Sequence, residues 1–222
     1  MAAPNVSYAA PGAAQGGAVP VLHAPPPSLA PRAPHMIDRS IATLLQVEMT
    51  RTLQASTLYT TRKANEMVEQ LRHDDPSSRV PPLLTAADET DMAKSRMESL
   101  GAHLGGGLAE RCVASRSRRL TQDRARVHDA LDMVKFVCKD LWAVMWQKQV
   151  DNLRTNHRGV FVLQDNAFRP LLGLEPGSLY AAMQLAFAAG VIEGALRRLG
   201  VQAHIHTDAG GAPQCAFHVR IT

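Results

Sequence analysis

Cysteine is scarce in this chain: of 222 residues only Cys112, Cys138 and Cys215 carry thiols, an odd number at wide spacing. That set does not make a disulfide framework, and no Cys-x-x-Cys or His-Glu-x-x-His is present to hold a metal. Aromatic residues make up 5% of the chain, too few for the stacking platforms that single-stranded nucleic acid needs. There is no Gly-x-Ser-x-Gly elbow to mark a serine nucleophile. The longest nearly uncharged apolar run, residues 179–192, falls short of the ~20 residues of a bilayer span. The chain starts with neither the basic stretch nor the apolar core of a secretory signal. Free thiols in a reducing compartment are therefore expected, with any membrane association peripheral.

What is present is a hydrophobic fraction of 45%, a net charge of +4 and a pI near 9.2. The first figure suits a folded domain, and the mild basicity suits an acidic partner or an anionic surface. Residues 1–35 are rich in Ala, Pro and Gly, include Pro25, Pro26 and Pro27, and are expected to be a disordered tail. From Ile37 onward Ile41, Leu44, Leu45, Met49 and Leu53 recur at threes and fours, which predicts a long helix ending near His73, before Asp74-Asp75-Pro76. A polar linker over 74–87 should follow. A second helix is predicted from about Asp88, whose charge suits a helix start, and it carries Met92, Met97, Leu100, Leu104 and Leu108.

Gly101, Gly105, Gly106 and Gly107 fall inside that helix, where each costs ~1 kcal/mol relative to alanine. Either the helix breaks there or a neighbouring element comes too close to admit a Cβ. A phosphate-binding loop fits poorly, because no strand precedes the glycines and no Lys-Ser/Thr pair follows them. After a basic loop spanning Arg116 to Arg119, a third helix over 123–149 carries Val127, Leu131, Val134, Cys138, Leu141 and Met145. Met133, Phe136, Val137 and Val144 widen that stripe, so the helix should be buried on several sides. The period then alternates: a strand over 159–163, a turn over 164–167, and a second short strand from Phe168. Pro176, Gly177 and Ser178 open a fourth helix over 179–199, with Gly200 just past its end. Strands over 201–206 and 215–221 form the last hairpin. The order predicts an α+β domain over 36–222, four helices packed with a small antiparallel sheet.

Candidate reactive groups have plain structural readings. His204 and His206 share a strand face, but Val201, Ala203 and Ile205 alternate with them as the core side, so the imidazoles should face solvent. Cys138 reads as a small buried hydrophobe and Cys112 as a helix-face residue. The cluster Arg111, Arg116, Arg118, Arg119, Arg124 and Arg126 suits anionic lipid or a protein partner, and no nucleic-acid module accompanies it. Asp151, Arg154 and His157 could be read as acid, cation and base, although Asp and Asn at a helix end more simply bond local backbone. No catalytic, metal-ligating or cofactor-binding set emerges.

The segment Phe136-Val-Cys-Lys-Asp-Leu-Trp142 leads into Lys148-Gln-Val-Asp-Asn-Leu-Arg-Thr-Asn-His157 and Gly159-Val-Phe-Val-Leu-Gln-Asp-Asn166. Together with Met97-Glu-Ser-Leu-Gly-Ala-His-Leu-Gly-Gly-Gly-Leu-Ala-Glu-Arg111, Gly190-Val-Ile-Glu-Gly-Ala-Leu196 and Cys215-Ala-Phe-His-Val-Arg-Ile221, it resembles the subunit 6 family of the trafficking protein particle (TRAPP) complex. That resemblance implies a non-catalytic, cofactor-free architectural subunit that forms a heterodimer with subunit 3 through the first two helices. Small subunits 1 and 4 would extend the assembly. The assembled complex would tether vesicles and exchange nucleotide on a Rab-type GTPase, in the cytoplasm and peripherally at Golgi and endoplasmic reticulum membranes. Leu44, Leu45, Met49, Leu53, Met97, Leu100, Leu104 and Leu108 would form the partner face, with Gly101 and Gly105 admitting a close helix. Three features depart from the pattern: the lipid-modified cysteine of subunit 3 is missing from 116–122, the linker after His73 is long, and the tail has no counterpart. The rival expectations are an acyl-chain-binding channel between helices and sheet, and an enzyme built on Asp151, Arg154 and His157.

Overall fold

Two long helices lead the chain. In the computed structural model, which describes residues 39–75, 79–119, 129–156 and 159–222, α1 is Arg39–Asp74 and α2 is Ala86–Arg119. The tail, Val127 and His157 lie outside the described residues. Thr85 and Asp88 start α2 as a capping box: Asp88 Oδ2 accepts from the Thr85 backbone N–H at 2.8 Å, and the Asp88 N–H reaches Thr85 Oγ1 at 3.4 Å. The helix does not break at its glycines. It also continues over Arg116 to Arg119, the stretch read as a basic loop, because no glycine or proline interrupts it after Gly107; Arg124 and Arg126 of the basic cluster lie outside the described residues.

The third helix is described from Ala130 onward, and it is not regular. α3 (Ala130–Phe136) runs through a π-helical turn, Val137–Leu141, into α4 (Trp142–Trp146). The wider turn frees the Cys138 carbonyl, which accepts the Val150 N–H at 3.0 Å and fixes the exit of the chain. Val134, Phe136, Val137, Cys138, Leu141, Trp142 and Trp146 are buried, whereas Val144 faces outward. The few aromatics are concentrated here: Trp142, Trp146, Phe168 and Phe217 meet at centroid distances from 4.1 to 5.9 Å.

The sheet has the order β1-β2-β4-β3, antiparallel throughout, with β1 Asn152–Thr155, β2 Val160–Asp165, β3 Ala203–Asp208 and β4 Cys215–Ile221. The first hairpin is therefore β1–β2, not a pair closed by a strand from Phe168. Phe168 instead leads into a 3-10 turn, Arg169–Leu171, in which Pro170 has no N–H for a ladder. The polar run 152–155, read from sequence as a connector, is an edge strand with only Leu153 and Thr155 turned inward.

α5 (Leu179–Arg198) fills the centre. Ser178 Oγ caps it by accepting the Ala181 N–H at 3.2 Å, and Gly200, at φ 94°, follows its end. By length and composition α5 could cross a bilayer, but 72% of its apolar window is buried inside the fold, as a core helix requires. Its Gly190 and Gly194 lie against Gly101 and Gly105 of α2. A Cβ on Gly101 would collide with the Phe187 carbonyl oxygen, and one on Gly105 with that of Val191. A Cβ on Gly190 would meet the Glu98 carbonyl, and one on Gly194 that of Ala102. Two Gly-x-x-x-Gly motifs thus let α2 and α5 cross backbone to backbone.

Candidate functional site

α1 is attached to the body through its polar face. Thr50, Thr57 and Thr61 are buried, spaced so that they share one helix face, and each hydroxyl donates to a carbonyl of its own helix. Gln184 of α5 bridges Gln46 and Thr50: its Oε1 accepts from Gln46 Nε2 at 2.5 Å and its Nε2 donates to Thr50 Oγ1 at 3.0 Å. From α2, Arg96 donates to Thr57 Oγ1 at 2.9 Å and Ser56 Oγ at 3.2 Å. Asn65 holds the Leu84 backbone at both N–H and carbonyl. Buried Leu53 supplies the main apolar contact on this side, with Met49 partly buried beside it.

The opposite side of α1 is open, and its exposed apolar side chains stand beside the Glu48–Arg51 ion pair. Leu44 is 63% exposed and Leu45 68%, and Ile41, Leu58 and Tyr59 are also exposed. On α2, Leu100 and Leu104 are 42% and 40% exposed. They follow Arg96 by one and two turns and so continue the edge that faces α1. Leu108, the next in that row, packs partly against the core.

The ten residues read from sequence as a partner face therefore divide. Leu44, Leu45, Leu100 and Leu104 lie on the surface, and Met49 and Leu108 are half-buried at its margin. Leu53, Met97, Gly101 and Gly105 are buried within the chain. The helix that approaches Gly101 and Gly105 is the chain's own α5, so the close approach inferred from the glycines is an internal contact. Sequence reasoning missed the threonine face. Its signal was present in the helical spacing of Thr50, Thr57 and Thr61, but a search for apolar stripes passes over it.

The polar group at the end of α4 is structural in its bonding. Asp165 is buried: Oδ1 takes Lys148 Nζ at 2.5 Å and the Ala167 N–H at 3.0 Å, and Oδ2 takes Trp142 Nε1 at 2.9 Å. Asp151 Oδ2 accepts from the Asn166 N–H at 2.7 Å and from Lys148 Nζ at 3.0 Å. The Asn166 N–H and the Lys148 ammonium hold the Asp151 carboxyl below its usual range. Burial works against the charge on Lys148, but hydrogen bonds and charges from Asp165 and Asp151 outweigh it and raise its pKa. Asp151 is thus engaged by fixed donors, and Arg154 lies beyond it on the exposed side of β1. His204 and His206 face outward while Ala203 is buried.

Among the described residues no group of three or more His, Cys, Asp or Glu is placed to hold a metal ion. Burial pushes the Cys138 and Cys215 thiols up to about 12. A surface cavity of about 270 Å³ lies between α1, the 3-10 turn and the start of α5. Its lining includes Gln46, Thr50 and Gln184, so part of it is polar.

Comparison with known proteins places these features in context. The family model described as Transport protein particle (TRAPP) component matches residues 43–222. Trafficking protein particle complex subunit 6b of Danio rerio is 39% identical over 161 residues, covering 71% of this chain and 98% of that one. Subunit 6B of Mus musculus is 43% identical over 136 residues, covering 60% and 81% respectively. Among solved structures, a trafficking protein particle complex subunit 3 from Naegleria fowleri, covalently bound to palmitic acid, aligns at a TM-score of 0.48 and 12% identity. That alignment covers 76% of this chain and 96% of the other.

Proposed function

The chain belongs to the transport protein particle (TRAPP) component family, and on that premise we propose that it is an architectural, non-catalytic subunit that pairs with subunit 3 of the complex through α1 and α2. The observation that carries this reading is the orientation of α1. A helix that turns threonines inward and leaves Leu44 and Leu45 more than three-fifths exposed presents a surface that a second protein would cover. Leu100 and Leu104 extend it onto α2, giving the centre of an interface with Met49 and Leu108 at its margin. In this role the chain contributes to vesicle tethering and Rab-type nucleotide exchange indirectly, by building the assembly with subunits 1 and 4. Its place is then cytoplasmic, peripheral at Golgi and endoplasmic reticulum membranes.

Co-expression with subunit 3, followed by size-exclusion chromatography with light scattering, tests the pairing. A one-to-one complex is expected from the wild-type chain. The double variant Leu44→Glu/Leu45→Glu places two charges at the centre of the interface and should weaken pairing by about 100-fold or more. Both side chains are exposed in the isolated chain, so its circular dichroism should not change. Separate wild-type peaks, or a complex that survives the double variant, would refute the reading.

A further inference from the structure

The buried side of α5 is apolar with one exception. Gln184, 5% exposed, is the polar side chain among its buried residues, set between Ala181, Met183, Leu185 and Ala188. A leucine or methionine would serve the core at that position, and a buried carboxamide is unfavourable unless its hydrogen bonds are made. Both described partners of Gln184 are on α1, Gln46 and Thr50. Packing within the core therefore does not account for a glutamine here, whereas the placement of α1 does.

Those bonds hold the end of α1 that little else holds. Between Ile41 and Arg51 the described side chains that are not exposed are Gln46, Met49 and Thr50. Beside them lies open space, the cavity of about 270 Å³ whose far wall includes Leu172, Leu174 and Tyr180. Arg96 grips the helix farther on, at Ser56 and Thr57, and Asn65 ties its distal half to Leu84. At about 100° per residue Gln46 and Thr50 share one side of the helix, and Leu44 and Leu45 centre roughly 170° away from them. An apolar contact such as that of Met49 tolerates rotation. A carboxamide that accepts from one side chain and donates to another a turn away does not.

We propose that Gln184 is a positioning residue for the partner surface: its carboxamide fixes the rotation of the first turns of α1 so that Leu44 and Leu45 face the partner. Buried beneath α1, it acts through the helix and not on the partner itself. The inference rests on the pairing with subunit 3 proposed above, and it adds a residue from outside the interface that governs its strength.

The test is Gln184→Leu, which removes both bonds and keeps an apolar filler in the core. Thr50 still donates to the Gln46 carbonyl, and the half-buried Gln46 side chain can turn to water. The urea midpoint of the full chain should therefore hold or rise. Affinity for subunit 3, measured by titration calorimetry, should fall by about tenfold or more, and amide exchange over residues 41–51 of the free chain should quicken. Thr50→Val should weaken pairing too, and add nothing to Gln184→Leu, because both variants break one contact. If the leucine variant fails to fold, Gln184→Met, unbranched and of similar length, decides. Wild-type affinity in the variant, unchanged exchange over 41–51, or a loss of pairing matched by a loss of stability would overturn the role of Gln184 and leave the pairing standing. A wild-type chain that does not bind subunit 3 would overturn both.

Discussion

Gly101→Ala and Gly107→Ala make the same chemical change on one helix, yet the structure assigns them opposite signs. At Gly101 the new methyl would fall inside contact distance of the Phe187 carbonyl oxygen, with the Val191 nitrogen only 3.0 Å away. Both obstacles are backbone, so no side chain can rotate aside and α2 must move away from α5. Overpacking of this kind costs ~1–3 kcal/mol, and the rigid obstacles argue for the upper end. The better helix propensity of alanine returns only ~1 kcal/mol. A net loss of about 2 kcal/mol should lower Tm by roughly 4–8 °C for a domain of this size. At Gly107 nothing lies within 4 Å of the added carbon, so only the propensity gain remains, ~0.5–1 kcal/mol and a rise of ~1–4 °C. Thermal and urea unfolding of the full chain, followed by circular dichroism, reads both. A Gly101→Ala chain as stable as Gly107→Ala would refute the backbone crossing.

Two further outcomes follow from buried polar and thiol groups. Lys148→Met leaves the buried Asp165 carboxylate with only the Trp142 and Ala167 donors, and should cost about 2–4 kcal/mol in urea unfolding. Adding Asp165→Asn removes the stranded charge and should recover about half of that loss; no recovery would show that the pair is not coupled. With the Cys138 and Cys215 thiols held at about 12, the native chain near pH 8 should expose at most Cys112 to rapid alkylation, and the denatured chain all three. Rapid modification of Cys138 or Cys215 in the native chain, read by mass spectrometry, would contradict their burial.

Where hydrophobic period and terminal residues agreed, the sequence was readable. α5 combined an apolar run with Ser178 before it and Gly200 after it, and the structure places its ends within a residue of the expected ones. β4 was as clear, because Cys215, Phe217 and Val219 alternate inward. The first hairpin was misplaced because β1 is an edge strand, and an edge strand need not alternate apolar with polar when only two of its residues face the core. The π-helical turn left no compositional trace, because what accompanies it, the Val150 N–H on the Cys138 carbonyl, is a contact between segments. The glycines posed a question that sequence could not close. Gly-x-x-x-Gly on α2 signals a close helix, but only the fold shows that the matching Gly190 and Gly194 lie in the same chain.

The orientation of α1 is the feature least explained by the chain alone. Each buried apolar side chain contributes ~1.5–3 kcal/mol, whereas a hydrogen bond of the Gln184–Thr50 kind contributes ~0.5–1.5 kcal/mol net. A rotation of α1 about its axis would turn Leu44 and Leu45 toward the body at the expense of three threonines that already satisfy their hydroxyls within the helix. Judged by the isolated chain, the threonine-inward arrangement therefore leaves apolar burial unused. The bridges from Gln184, Arg96 and Asn65 set the rotation of α1 instead, because each has a partner at only one angle around the helix. Directional polar contacts fix the helix, and non-directional apolar surface stays available on its outer side. That division of labour suits a subunit whose hydrophobic surface is to be buried by a partner after the chain itself has folded.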